Sequence, residues 1–213
     1  MPKLKICCIS DTHMLHDEIE DMPDADILIH SGDFCRVGEE REVKEFNRWL
    51  GTLKDKYNHI VVIAGNHDKF FESNPEEAEA IMTNCTYLMD SSVEINGFKI
   101  YGSPWQPWFY GWAFNVPRMI IHKKWEKIPS DTDILITHGP AHGYGGRTNG
   151  GDEAGCKSLL EKIEEVKPLL HICGHIHEGY GMYQNENTTF INASTCNVRY
   201  KPWNKPVIIE VEK

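Results

Sequence analysis

The chain contains no stretch approaching the roughly 18 apolar residues of a membrane-spanning helix. Ser10-Asp11 also cuts short the apolar run of MPKLKICCIS before it resembles a secretory leader, so no membrane partner is expected. There is no CxxC pair. The seven cysteines, Cys7, Cys8, Cys35, Cys85, Cys156, Cys173 and Cys196, are odd in number, which argues against a disulfide framework and a zinc ribbon. Most lie in apolar runs, where a free thiol serves as a small hydrophobe, and a reducing, cytoplasmic setting is the economical expectation. The glycosylation-type triplets at Asn84, Asn187 and Asn192 then read as chance matches. Basic residues are scarce: 22 face 32 acidic ones, for a net charge of −10. That balance repels extended nucleic acid but tolerates one small phosphate, because bound divalent cations invert the local potential. No repeat, low-complexity tract or linker interrupts the 213 residues, and one domain over residues 1–213 is expected.

What is present is a succession of short apolar runs. Strands are expected at Leu4–Ile9, Asp26–His30, His59–Ala64, Ser92–Ile95, Lys99–Gly102, Asp133–Thr137, Leu169–Cys173, Thr188–Asn192 and Pro206–Val211. ILIH, HIVVIA and DILITH are continuous rather than alternating, which suits strands buried on both faces. Helices are expected at Glu39–Leu53, from Pro75 behind a capping Asn74, over Pro117–Lys127 and at Asp152–Val166, which Pro168 ends. The pattern predicts a layered α/β domain with a mixed sheet or two packed sheets.

Chemistry gathers where the strands end. Ser10-Asp11-Thr12-His13, Ser31-Gly32-Asp33, Gly65-Asn66-His67-Asp68, Thr137-His138-Gly139 and Gly174-His175-Ile176-His177 each follow an expected strand. Ligand sites of α/β folds lie at carboxyl ends of strands, so five such loops can converge. Carboxylates and neutral imidazoles suit divalent transition metals or zinc, and Gly32, Gly65 and Gly174 would let the backbone turn beside the cluster. Two divalent ions set against Asp11, Asp33 and a hydroxide leave about one positive charge, which suits an anionic phosphate ester.

DxH, GD, GNHD, THGP and GHIH, in this order over residues 11 to 177, resemble the calcineurin-like metallophosphoesterase superfamily. YGSPWQPWFYGWAFN and GHIHEGYG…INASTC resemble its metallophosphoesterase-domain-containing, cyclic-nucleotide phosphodiesterase-like subgroup. The resemblance implies a four-layer α/β/β/α sandwich of two mixed sheets. It implies two divalent ions, manganese first, with zinc, iron or a mixed pair as alternatives. Asp11, His13 and His177 would hold one ion and Asn66, His138 and His175 the other, with Asp33 bridging both. A bridging hydroxide would attack phosphorus, His67 would protonate the leaving alkoxide, and Asp68 would orient His67. Small phosphodiesters such as cyclic nucleotides are the expected substrates. A phosphomonoesterase, protein phosphatases included, and a non-catalytic metal-binding interaction module on the same fold are the alternatives.

Other residues have plainer readings. His30 and His171 fall inside apolar runs and are expected in the core, and Cys35 has no activating neighbour. His142 could reach a substrate phosphate or be an ordinary loop residue. The aromatic loop holding Trp105, Trp108, Phe109, Tyr110, Trp112 and Phe114 is read either as packing or as a wall for a nucleobase, with Trp105 and Trp108 the expected substrate contacts. Glu39–Lys44 reads as a solvated helix face. Oligomeric state has no signal in the sequence.

Overall fold

A computed structural model of the chain describes residues 2–213. The first half builds a five-stranded sheet from β1 (Lys3–Ile9), β2 (Ile27–His30), β3 (His59–Val62), β4 (Thr86–Tyr87) and the last strand, β13 (Val207–Glu212). Its order is β13-β1-β2-β3-β4, with β1 to β4 parallel and β13 antiparallel to β1. The second sheet uses β5 (Ser91–Ile95), β6 (Phe98–Ser103), β9 (Ile134–Thr137), β10 (Leu170–Cys173), β11 (Gly181–Gln184) and β12 (Thr189–Asn192). Its order is β11-β12-β10-β9-β6-β5, a parallel centre with an antiparallel strand at each edge. A small ribbon pairs β7 (Gln106–Pro107) with β8 (Asn115–Val116).

The continuous apolar runs follow from this stacking. Side chains alternate across a strand, so every second residue enters a different layer. Ile6, Ile29, Val61, Ile100, Ile136 and Ile172 share the core between the sheets. Their neighbours Ile9, Leu28 and Val62 face the opposite way, onto Phe46, Trp49 and Leu50 of α1 (Glu40–Thr52). On the far side Tyr101, Leu135 and Phe190 pack on Trp125 of α4 (His122–Trp125) and on Leu159 and Ile163 of α5 (Lys157–Val166). The result is four layers, α/β/β/α, with the site at the carboxyl ends of strands from both sheets. His30 and His171 are buried in these layers, bonded to Thr12 and Thr137.

Several elements differ from expectation. The helix expected from Asp152 starts at Lys157, because Glu153 bridges to Arg147 and Cys156 to Ala141, committing the preceding residues to extended backbone. Pro117–Lys127 is a turn followed by the single helical turn of α4. An unanticipated α2 (Lys69–Ser73) precedes α3 (Pro75–Ile81), and Asn74 does not cap α3 with its side chain. Nor is Glu39–Lys44 merely a solvated face. Glu42 is buried and its Oε2 accepts the backbone N–H groups of Val37, Gly38 and Glu39 at 3.0, 2.8 and 3.2 Å, anchoring the start of α1.

Candidate metal centre

The β1 and β2 loops fasten to each other by backbone: Asp11 N–H donates to Gly32 O at 2.9 Å, and His13 N–H to Asp33 O at 3.0 Å. This clasp holds Asp11, His13 and Asp33 at φ 51°, 44° and 57°, and His175 stands at 67° on the opposite sheet. Side-chain-bearing residues at positive φ cost about 1–3 kcal/mol each and cluster at functional sites. Gly32, at φ 103°, is a true turn glycine, with His138 Nδ1 2.6 Å from where a Cβ would sit. Gly65 and Gly174 are small for another reason: a Cβ on Gly65 would strike Asp33 Oδ1, and one on Gly174 would strike Asp11 Oδ2.

Four imidazoles are aimed the same way. The Nδ1–H groups of His13, His67, His138 and His177 donate to the carbonyls of Cys35, Arg36, Ser31 and Asn197 at 3.2, 2.6, 2.9 and 3.0 Å. Each Nε2 is therefore turned inward, the arrangement a backbone-held metal ligand needs. His13 Nε2 lies 3.3 Å from His177 Nε2, which is 3.3 Å from Asp11 Oδ1. His138 Nε2 lies 3.0 Å from Asn66 Oδ1 and 3.4 Å from Asp33 Oδ2. The ligand atoms of Asp11, His13 and His177 all lie within 4.8 Å of one another, as do those of Asp33, His138 and His175. A third such group, His13, Asp33 and His67, joins the two. All seven ligand candidates from the sequence, Asn66 among them, are thus brought together. Two Nε2 atoms facing at 3.3 Å, with both Nδ1–H groups committed elsewhere, suit a shared cation between them.

The electrostatics ask for the same thing. Burial opposes protonation of His138, but the charge and hydrogen bond of Asp33 and the charge of Asp11 outweigh it and lift the imidazole to about 9. His177 is likewise lifted against burial to about 9, by its hydrogen bond to Asp11 and by that carboxylate's charge. Asp11 and Asp33 are held well below the usual carboxylate range, since these imidazoles overcome the burial that would raise them. Burial instead drives His13 and His175 down to about 4, leaving them neutral at pH 7. Two buried carboxylates thus recruit positive charge, which divalent ions would supply, and an oxygen and imidazole donor set fits them.

Asp68 departs from its expected role. Its carboxyl oxygens accept the N–H groups of Asp33, Cys35 and Gly65 at 2.8, 2.8 and 2.7 Å, whereas His67 is oriented by the Arg36 carbonyl. Fully buried, it is pushed up to about 8 by burial and by the charge of Asp33, which those N–H donors oppose. Asp68 therefore splices the β2 and β3 loops and sets Asp33, not His67. His67 itself stacks on Trp112 at 4.1 Å, its Nε2 4.0 Å from Asp33 Oδ2.

A cleft of about 370 Å³ opens over Asp33, Asn66, His67, His175 and His177, walled by Trp108, Phe109 and Trp112. The aromatic loop is therefore divided. Trp108 lines the cleft, but Trp105 turns away: its indole N–H donates to Asp90 at 3.0 Å and its ring packs on Phe114. His142 does not line the cleft either; its loop is tied to the start of α5 through His142 N–H to the Cys156 carbonyl at 3.1 Å. Tyr200 was not anticipated. The turn at Asn197, whose carbonyl holds His177, sets Tyr200 at φ 53° with its ring 4.8 Å from that of His13. No spacing in the sequence signals it.

Strand-end carboxylates and imidazoles on a two-sheet sandwich define a class, and residues 4–179 match its family model: the chain belongs to the calcineurin-like phosphoesterase family, metal-dependent hydrolases that use divalent ions. Metallophosphoesterase domain-containing protein 1 of Homo sapiens is 45% identical over 233 residues, covering 97% of this chain and 71% of its own. A UPF0046 protein of Caenorhabditis elegans is 40% identical, covering 98% and 81%. One solved structure with 19% identity overlays 90% of both chains at a TM-score of 0.63, which shows the shared fold.

Proposed function

We propose that the chain is a phosphodiesterase for small phosphodiesters, cyclic nucleotides among them. Asp11, His13 and His177 would hold one divalent ion, Asn66, His138 and His175 a second, and Asp33 would be shared. The observation that carries this reading is the place of Asp33: its carboxylate belongs to the ligand group of His138 and His175 and to that of His13 and His67, beneath an aromatic cleft. Bound there, divalent ions would draw charge from phosphoryl oxygens and lower the pKa of a water toward about 7. Manganese is the ion we favour, following the family resemblance; these oxygen and imidazole donors suit zinc, iron or a mixed pair as well.

The chain's own groups do the rest. Trp108, Phe109 and Trp112 supply flat apolar faces for a nucleobase and keep water from it. His67, fixed by Arg36 O and Trp112, presents Nε2 to the opening and, with both ring nitrogens protonated, would pass its Nε2 proton to the departing oxygen while Nδ1–H stays on Arg36 O. Asn66 lines the same cleft and orients the phosphoryl group. All seven cysteines are free and six are buried, which supports a reducing compartment such as the cytosol.

The test is hydrolysis of bis(p-nitrophenyl) phosphate beside p-nitrophenyl phosphate, after EDTA treatment and manganese re-addition. Manganese-restored cleavage of the diester, with little on the monoester, is expected. Preference for the monoester, or silence on both with metal bound, would overturn the reading.

A further inference from the structure

A second cleft, of about 540 Å³, meets the aromatic one at His67 and Tyr200, which line both. The two differ in chemistry. The aromatic cleft carries Arg118 and Glu178, but both are occupied: Arg118 donates to the Gly155 and Ala154 carbonyls at 3.0 and 2.7 Å, and Glu178 accepts from Asn149 N–H at 3.1 Å. The second cleft opens on His13 and is lined by Arg36, Arg199 and Lys201 against a single acid, Glu18. None of these three cations makes an ion pair among the described residues. In a chain of net charge −10, three uncommitted cations facing one opening beside the site run against the overall field.

Their placement is built into the same backbone that shapes the metal centre. Arg36 follows Cys35, and the carbonyls of these two residues hold His67 and His13. Arg199 and Lys201 flank Tyr200 in the turn that Asn197 closes, its Oδ1 accepting their backbone N–H groups at 2.9 and 3.2 Å. Two loops that orient imidazoles therefore also deliver cations to one side of them.

The geometry points to a substrate with two unlike arms: a nucleoside in the aromatic cleft and, on the same molecule, a second phosphate in the cleft of Arg36, Arg199 and Lys201. The substrate class is thus a nucleotide phosphodiester that carries a further phosphate beyond the one cleaved. This inference rests on the phosphodiesterase reading for the identity of the cleaved bond, but the anion cleft is testable by binding alone. Guanidinium and ammonium groups strengthen phosphate recognition by charge-assisted hydrogen bonds, and a single well-made one is worth about tenfold in affinity.

The experiment is titration calorimetry of the manganese-loaded protein with adenosine 5′-monophosphate and adenosine 3′,5′-bisphosphate. The bisphosphate should bind at least about tenfold tighter. In Arg199→Gln/Lys201→Gln, whose folding is checked by its thermal midpoint, that ratio should fall to near one. Equal affinities in the wild type, or a preference that survives the double substitution, would overturn the inference. So would inorganic phosphate tightening the binding of the monophosphate, which would make the cleft a site for a separate anion. Absence of diester hydrolysis, by contrast, would strike the functional reading and leave this affinity ratio measurable.

Discussion

His67 is held from two sides, by the Arg36 carbonyl at 2.6 Å and by the Trp112 ring at 4.1 Å, and it lines the aromatic cleft. A proton donor placed so should matter most when the leaving oxygen is basic. His67→Ala is expected to lower kcat on a diester with an alkyl leaving group by about 10²–10⁴, and much less on bis(p-nitrophenyl) phosphate. Equal losses on both substrates would give His67 another role. The proposed ligand imidazoles themselves carry a pH signature. His138 and His177, with pKa values lifted to about 9, are protonated at pH 7 in the metal-free protein, and coordination needs them neutral. Metal uptake at pH 7 should therefore release about two protons, read by calorimetry in buffers of differing ionisation enthalpy. The sign is fixed: apparent affinity rises with pH until about 9, where these groups have lost their protons unaided.

At the scale of elements, α1 reaches into the site through its first turn. Glu42 binds the N–H groups of Val37, Gly38 and Glu39, fixing the chain just after the carbonyls that hold His13 and His67. Glu42→Ala should cost about 1–2 kcal/mol in urea unfolding, as loss of a helix-start acceptor does, and should slow turnover as well. A stability loss without any kinetic effect would uncouple the helix start from the site. Sequence patterning revealed elements in proportion to how much they bury. β1, β2, β3, β9 and β10 are apolar on both faces, and their runs end at the ligand loops, so both strands and ligand residues were legible. β4, β7 and β8 are two residues each, and β11 is largely exposed, so none had a periodicity to read. Asp68 and Tyr200 show the limit at single residues. The first works on the backbone of other loops and the second arrives through a turn, and neither kind of contact has a spacing.

Across the whole molecule, the centre is where the two sheets meet. Asp11, Asp33 and Asn66 follow strands of the first sheet, whereas His138, His175 and His177 follow strands of the second. Direct bonds already cross this seam: His138 donates to Ser31 O at 2.9 Å, and Thr195 N–H to Ser10 O at 2.7 Å. Ions held by both sheets should therefore stabilise the molecule as a unit. At a free metal concentration 1,000 times Kd, binding adds about 4 kcal/mol. EDTA should accordingly lower the thermal midpoint on the order of 10 °C in one cooperative transition. Loss of only part of the structure, as two separate transitions, would show that the sheets are not coupled through the centre.

The span between His13 and His177, 164 positions apart, also sets a schedule for biosynthesis. A ribosome finishes Asp11, His13, Asp33 and Asn66 long before it makes the histidines of the second sheet, and β1 waits for β13 to cover its outer edge. At about 5–20 residues per second, the nascent chain carries an incomplete ligand set for on the order of 10 seconds. Tight metal capture would then come late in folding, with the ion closing a ligand set already drawn from both sheets rather than templating the first half of the chain.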